Sequence, residues 1–329
     1  MRDDIPRSRV LSGLNYLADS QRADGSFEVV VITGGPGFPS GAVSSPFVTG
    51  LVLDALQRLG PAYDVGRVIE RAAAWLLAEM EEGPSWRFYR CEPPLRLDLD
   101  STSVVLRALR HAGVGLDYRA AAQRLDGCRT VSGRFRTWVE QRATLRERMR
   151  TGPRGLLRPR FNPVDPVVNA NVVAFRQEVG RPSPGAERFV RAWARSRNAF
   201  GASPYYLHPE CFAYALAKVA GYRAGGDALR TEAEAFVTSL LGRPRARTSE
   251  PAFLLGRRLA AALRLGLAVP DLDRAMETLS ACQRADGSWP SGAVWTAVRW
   301  APGAPRPLLG SPALETAIAL EVLARCPPQ

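Results

Sequence analysis

The chain has 329 residues, 46% of them apolar, and carries 44 basic against 32 acidic side chains for a net charge of +12. That apolar share excludes a disordered chain, and the length allows a large buried core. Five dispersed cysteines (Cys91, Cys128, Cys211, Cys282 and Cys326) exclude a disulfide framework and argue for reduced thiols.

Taken in chain order, a helical pattern near 8–20 runs into Gln21-Arg22-Ala23-Asp24-Gly25-Ser26-Phe27. A Gly/Pro-rich loop follows, and Ser45-Pro46 opens the run Phe47-Val48-Thr49-Gly50-Leu51-Val52-Leu53. A serine N-cap with proline at the first helical position is a helix start. The run is apolar nearly all round, which predicts a helix buried on most of its surface. An amphipathic helix near 66–81 comes next, and then Asp98-Leu99-Asp100-Ser101-Thr102-Ser103 leads into Val104-Val105-Leu106.

The same pairing continues. Further outer helices are predicted near 117–127, 185–196, 226–241 and 270–282, with inner helices starting near Asp165, Tyr206, Glu250 and Ser311. Near the end, Gln283-Arg284-Ala285-Asp286-Gly287-Ser288-Trp289 repeats the element at Gln21, and Ser311-Pro312 repeats Ser45-Pro46. Six outer–inner helix pairs without strand signals predict an all-α chain, a single α6/α6 barrel spanning 1–329 as one domain. Thr49, Thr102 and Thr316 should then occupy equivalent places near one end. The N-terminus lacks an export signal and no apolar run is long enough to span a membrane, so a cytoplasmic location is expected.

In such a barrel all inner helices start at one end, where their first turns form a ring. It would hold Asp98, Asp100, Asp165, Asn169, Asn171, Tyr205, Tyr206, His208, Glu210, Glu250 and Glu315. Helix N-termini favour acids in any case, and Asp100 is the expected N-cap of its helix. Six caps need only six residues, so the surplus predicts a cavity with a polar rim. Trp86, Phe88, Tyr89, Trp138, Trp295 and Trp300 are candidates for its aromatic walls, although core packing is the ordinary role of any one of them.

The Gln-x-x-x-Gly-x-(Phe/Trp) elements resemble the QW repeats of squalene–hopene and oxidosqualene cyclases. Asp98-Leu99-Asp100-Ser101-Thr102 resembles the Asp-x-Asp-Asp-Thr acid motif of class II terpene cyclases. The resemblance implies proton-initiated cyclisation of a linear isoprenoid, with Asp100 as general acid and Asp98 tuning it. Ser101 departs from the final aspartate of that motif. The resemblance implies no required cofactor; a diphosphate substrate would bring Mg²⁺. Full cyclases enclose the cavity between two barrels, whereas one fits here, so a protein partner closing the cavity is an expectation.

Protonating an alkene or epoxide needs an acid held neutral near pH 7. Apolar burial and a neighbouring carboxylate both push an aspartate that way. Ser101 or His208 is the expected hydrogen-bond partner of the conjugate base, and aromatic faces would stabilise the cation.

Three other readings use the same residues. A sugar-processing α/α barrel would pair Asp100 with Glu210, Glu250 or Glu315 as acid and base. A zinc site would need a third ligand beside His208 and Cys211, and the sequence offers none that convinces. A barrel can also bind a ligand or protein without catalysis. The positive charge is nearly all arginine, Lys218 being the only lysine, and it is densest from Arg129 to Arg160. No nucleic-acid motif accompanies that stretch. A diphosphate clamp including Arg134 and Arg136, or a solvated face, are its two readings.

Overall fold

Among the described residues, twelve α-helices alternate between an outer and an inner layer. The outer ones are α1 (Asp4–Ser20), α3 (Gly66–Ala78), α5 (Tyr118–Arg124), α7 (Pro184–Arg195), α9 (Asp227–Leu241) and α11 (Leu272–Ala281). The inner ones are α2 (Pro46–Leu56), α4 (Leu99–His111), α6 (Pro166–Glu178), α8 (Pro209–Ala220), α10 (Ala252–Leu265) and α12 (Pro312–Ala324). The computed structural model describes residues 4–33, 41–81, 83–89, 95–139, 162–196, 203–221, 227–242, 251–296 and 307–325. Each inner helix packs on the next, and α12 packs back on α2, so the inner layer is a closed ring. This is the α6/α6 barrel that the repeat predicts.

The two layers differ as their sequences require. Every residue of α2 and of α6 is buried. Outer helix α7 buries only Ala186, Val190 and Ala194, one stripe at a spacing of four. Side-chain caps start four inner helices. Ser45 accepts from the Val48 amide at 3.2 Å, Asp98 from Ser101 at 2.7 Å, Asp165 from Val167 at 2.7 Å and Ser311 from Leu314 at 3.3 Å. The cap of α4 is therefore Asp98 rather than Asp100, which lies inside the first turn. Helix α8 starts after His208 rather than near Tyr206, because Pro209 takes the first helical position.

One latch recurs along the chain. In three units the backbone amide of the aromatic residue after the outer helix donates to a side chain on the following inner helix: Phe27 to Thr49 at 2.9 Å, Trp86 to Thr102 at 3.1 Å and Trp289 to Thr316 at 3.0 Å. In the third unit Phe135 donates to Asn169 at 2.8 Å. The three threonines thus hold equivalent places, and Asn169 is their counterpart. Gln21 and Gln283 brace the preceding turns, donating to the carbonyls of Gly25 at 3.0 Å and Gly287 at 2.9 Å. Gly25 has φ +97°, and a Cβ there would come within 2.3 Å of the Arg71 carbonyl, so glycine is needed.

Almost no strand was expected, and the few short ones that form lie in the loops entering the inner helices. Strands β1 (Glu28–Thr33), β2 (Ala42–Ser44), β5 (Trp295–Thr296) and β6 (Leu308–Gly310) make an antiparallel sheet in the order β2-β1-β6-β5. This sheet ties the first unit to the last. Its source is Val29-Val30-Val31-Ile32, a β-branched run inside a loop otherwise marked by glycine and proline. A second pair joins β3 (Trp86–Arg87) to β4 (Leu97–Asp98).

Arg142, Arg146, Arg148, Arg150, Arg154, Arg158 and Arg160 of the basic stretch lie outside the described residues, as do Glu250, Trp300, Cys91 and Cys326. Among the described residues no helix is long and apolar enough to cross a membrane.

Candidate active site

Strand β4 runs directly into α4, so its pairing with β3 places the acids. The Leu99 amide donates to the Thr137 carbonyl at 2.8 Å and the Val139 amide to Leu97 at 2.9 Å, clamping the turn from the other side. Asp98 and Asp100 are consequently 3% and 7% exposed. Asp98 accepts from both the amide and the hydroxyl of Ser101, the latter at 2.9 Å. Two residues on, Asp100 accepts from Asn171 Nδ2 on α6 at 2.8 Å and from the hydroxyl of Tyr206. The expected partners of the acid, Ser101 and His208, do not fill that role. Ser101 serves Asp98, and the His208 ring bonds the Ala293 carbonyl at 2.8 Å.

Burial pushes the Asp98 carboxyl up to about 8, the bonds from Ser101 opposing it and the charge of Asp100 adding to it. Burial likewise pushes Asp100 up to about 7, with Tyr206 and Asn171 holding it down and Asp165 pushing it up. With both carboxyls raised mainly by burial, the site retains a proton near neutrality. Among the described residues neither acid forms an ion pair. Two other buried acids at this end do, Glu210 meeting Arg258 at 2.9 Å and Glu315 meeting Arg257 at 2.8 Å, whereas Asp165, also buried, has hydrogen bonds alone. Adjacent Arg257 and Arg258 inside a buried inner helix were the sequence signal for these pairs, and the sequence reading missed them.

The remaining candidates divide into walls and supports. Trp295 stands edge-on to Phe47 and to Phe88, both at 5.7 Å, and bridges to Tyr206 through the backbone. Trp138 bridges to Asp98 and its ring stands edge-on to Tyr205 at 5.8 Å. Asp165 is held by its two cap bonds and by Ser203 Oγ at 2.6 Å, close enough to influence Asp100. Trp86 and Asn169 sit behind the site as supports. The Trp86 indole donates to the Leu76 carbonyl at 2.7 Å, and Asn169 Nδ2 donates to Phe135 at 2.9 Å and Asp165 at 2.8 Å. Phe47, on the wall, was not singled out from sequence, because an aromatic in an all-apolar helix carries no signal of its own.

Between Asn171, Tyr206, Phe47, Trp295 and Leu314 lies a cavity of about 30 Å³. That is room for about one water molecule. Among the described residues no group of three His, Cys, Asp or Glu side chains is placed to hold a metal ion. Asn171 and Tyr206, the two donors to Asp100, line this cavity beside Phe47 and Trp295, and Lys218 and Arg257 also reach its wall.

No protein-family model and no curated protein matches the sequence. Solved structures do match the fold. A protein from Actinoplanes is similar at 19% identity over 98% of this chain and 100% of its own, with a TM-score of 0.68. The type II terpene cyclase MstE from Scytonema is similar at 16% identity over 99% and 98%, with a TM-score of 0.69. An unsaturated glucuronyl hydrolase specific for heparin is similar at 11% identity over 98% and 97%, with a TM-score of 0.55. The chain has a terpene-cyclase-like α/α-barrel fold.

Proposed function

We propose that this protein is a class II terpene cyclase in which Asp100 protonates a linear isoprenoid. The observation that carries the reading is the contrast among the buried acids. Glu210 and Glu315 each pair with an arginine, whereas Asp98 and Asp100 take amide and hydroxyl donors without an ion pair, Lys218 lowering Asp100 only as a lesser influence, and both titrate near neutrality. A carboxyl held neutral without an ion-pair partner is suited to donate a proton.

The Asp100 O–H bond breaks as a C–H bond forms on a terminal alkene, or an O–H bond on an epoxide. The electron pair left on Asp100 is then held by Asn171 and Tyr206. Asp98, raised further by burial, keeps its own proton and so adds no second negative charge. Phe47, Phe88 and Trp295 offer ring faces to the cation, and loss of a proton from the cyclised cation completes the reaction. Since the cavity is about 30 Å³, the substrate has to displace part of this aromatic wall on entry.

The likeness to MstE supports the reading at two points. Its solved chain is matched over 98% of its length, so this chain spans the fold of a solved cyclase chain without a second barrel. A variant of it is solved with geranylgeranyl dihydroxybenzoate as substrate, which makes a geranylgeranyl chain the first substrate to test here. If a diphosphate is used, Mg²⁺ and Arg134 or Arg136 are the groups to examine. For the sugar-processing reading, arginines neutralise Glu210 and Glu315, two of the three glutamates it would pair with Asp100.

The test is incubation with geranylgeranyl diphosphate, geranylgeraniol, a terminal epoxide of it and geranylgeranyl dihydroxybenzoate, with products identified by mass spectrometry. Wild type should yield a cyclised product from at least one. Asp100→Asn should yield none while still binding substrate, and Asp98→Asn should be impaired less. Full turnover by Asp100→Asn, or no product from any of the four, overturns the reading.

A further inference from the structure

The inner helices all end at the opposite mouth of the barrel, and that mouth is cationic. A cavity of about 370 Å³ there is lined by Arg58, Arg107, Arg110, Lys218 and Arg264, with Glu178 as the acid in its wall. Asp54 lies beneath, 2.6 Å from Arg107, 3.1 Å from Lys218 and 3.5 Å from Arg264. Glu178 meets Arg107 at 2.6 Å, and Glu321 meets Arg264 at 2.7 Å. Three acids thus face five cations, and Arg325, 3.6 Å from Glu321, adds a sixth.

Cations in a last helical turn complement the helix dipole, which accounts for exposed Arg110. It does not account for the buried guanidiniums. The Arg264 side chain is 2% exposed, yet its Nη1 has no hydrogen-bond partner, and the buried Nε of Arg58 has none either. A buried donor left unpaired costs about 1–3 kcal/mol, and here two point to the same cluster. An anion seated in the cavity would offset the excess charge, and a small shift of either guanidinium toward it would give these donors an acceptor.

We propose that this mouth is a binding site for a multiply charged phosphate anion. Several arginine forks approaching from different helices suit a tetrahedral group with oxygens on every side better than a planar carboxylate. The cavity exceeds what inorganic diphosphate needs, so an ester of diphosphate also fits. The site lies at the end opposite Asp100 and stands independently of the cyclase reading.

Titration calorimetry of the full chain at low ionic strength, with inorganic diphosphate as probe, tests it. One equivalent should bind, with affinity falling as salt is raised. The Arg58→Gln/Arg110→Gln variant should bind at least about tenfold more weakly, a loss of about 1.4 kcal/mol. Both side chains are at least partly exposed, and circular dichroism would check that the variant is folded. If it is not, the single variant Arg110→Gln and the rise in wild-type Tm with diphosphate carry the test. Geranyl diphosphate binding about as tightly as the free anion assigns the ligand as the anion alone; binding about tenfold tighter assigns an organic diphosphate. No heat and no Tm shift at millimolar diphosphate overturns the proposal. So does binding that survives the far-end variants unchanged, or binding that disappears in Arg134→Ala/Arg136→Ala.

Discussion

The hydroxyl of Tyr206, in the loop entering α8, donates to Oδ2 of Asp100 at the start of α4, joining residues 106 positions apart. Burial and the Asp100 charge push the phenol well above its ordinary range, so it remains a donor throughout. Together with Asn171 it occupies both oxygens of the acid with hydrogen-bond donors.

Removing that donor has a signed consequence. A hydrogen bond to a carboxylate lowers its pKa, so in Tyr206→Phe the Asp100 carboxyl should titrate higher than about 7. The alkaline limb of the kcat profile should move to higher pH. The rate at the optimum should drop about 10–100-fold, the conjugate base having lost a charge-assisted bond of about 1.5–3 kcal/mol. A kcat–pH series on both proteins measures this, and an unmoved limb would show that Tyr206 does not act on the acid.

Stability should carry the same signature. A carboxyl that titrates higher folded than unfolded stabilises the fold while protonated. That contribution is complete below about pH 4, the unfolded value, and is lost as pH rises through the folded value. For Asp100 and Asp98 the loss runs up to about 7 and about 8. Asp100→Asn should therefore match wild type near pH 4 and exceed its Tm at pH 9 by on the order of 5 °C. Thermal melts at the two pH values decide it, and a variant that is less stable at pH 9 would contradict the assigned burial.

The latches should show in unfolding as well. In Thr316→Val the Trp289 amide loses its acceptor while remaining buried, a cost of about 1–3 kcal/mol. Thr316→Ser keeps the oxygen and should lose about 1 kcal/mol or less, for the missing methyl group. Thr102→Val should behave like Thr316→Val, because Trp86 depends on Thr102 in the same way. Urea denaturation compares them, and equal stability of the Val and Ser forms would dismiss the hydrogen bond as a source of stability.

The barrel was legible in the sequence because its signals are local. Ser45-Pro46 and Ser311-Pro312 are helix starts wherever they occur, and apolar periodicity alone separates α2 from α7. The predicted outer ranges 185–196 and 226–241 fall within a residue of α7 and α9. Thr49, Thr102 and Thr316 were also legible as equivalents, each being a threonine within the first turns of an inner helix. Asn169 as a fourth member was not, since an amide replacing a hydroxyl hides the repeat.

What each acid does was decided only by tertiary contacts. Sequence brings Asp98 and Asp100 to one helix start but cannot say which caps it. The clamp of Leu99 by Thr137 turns Asp98 to the helix end and leaves Asp100 facing α6. Nor can it distinguish Asp100 from Glu210 and Glu315, which share the same ring. Their difference lies in which residues arrive from other helices: arginines of α10 for the two glutamates, Asn171 and Tyr206 for Asp100. Helix periodicity is a property of adjacent residues, whereas the proton affinity of a buried carboxyl depends on partners that only the closed barrel brings together.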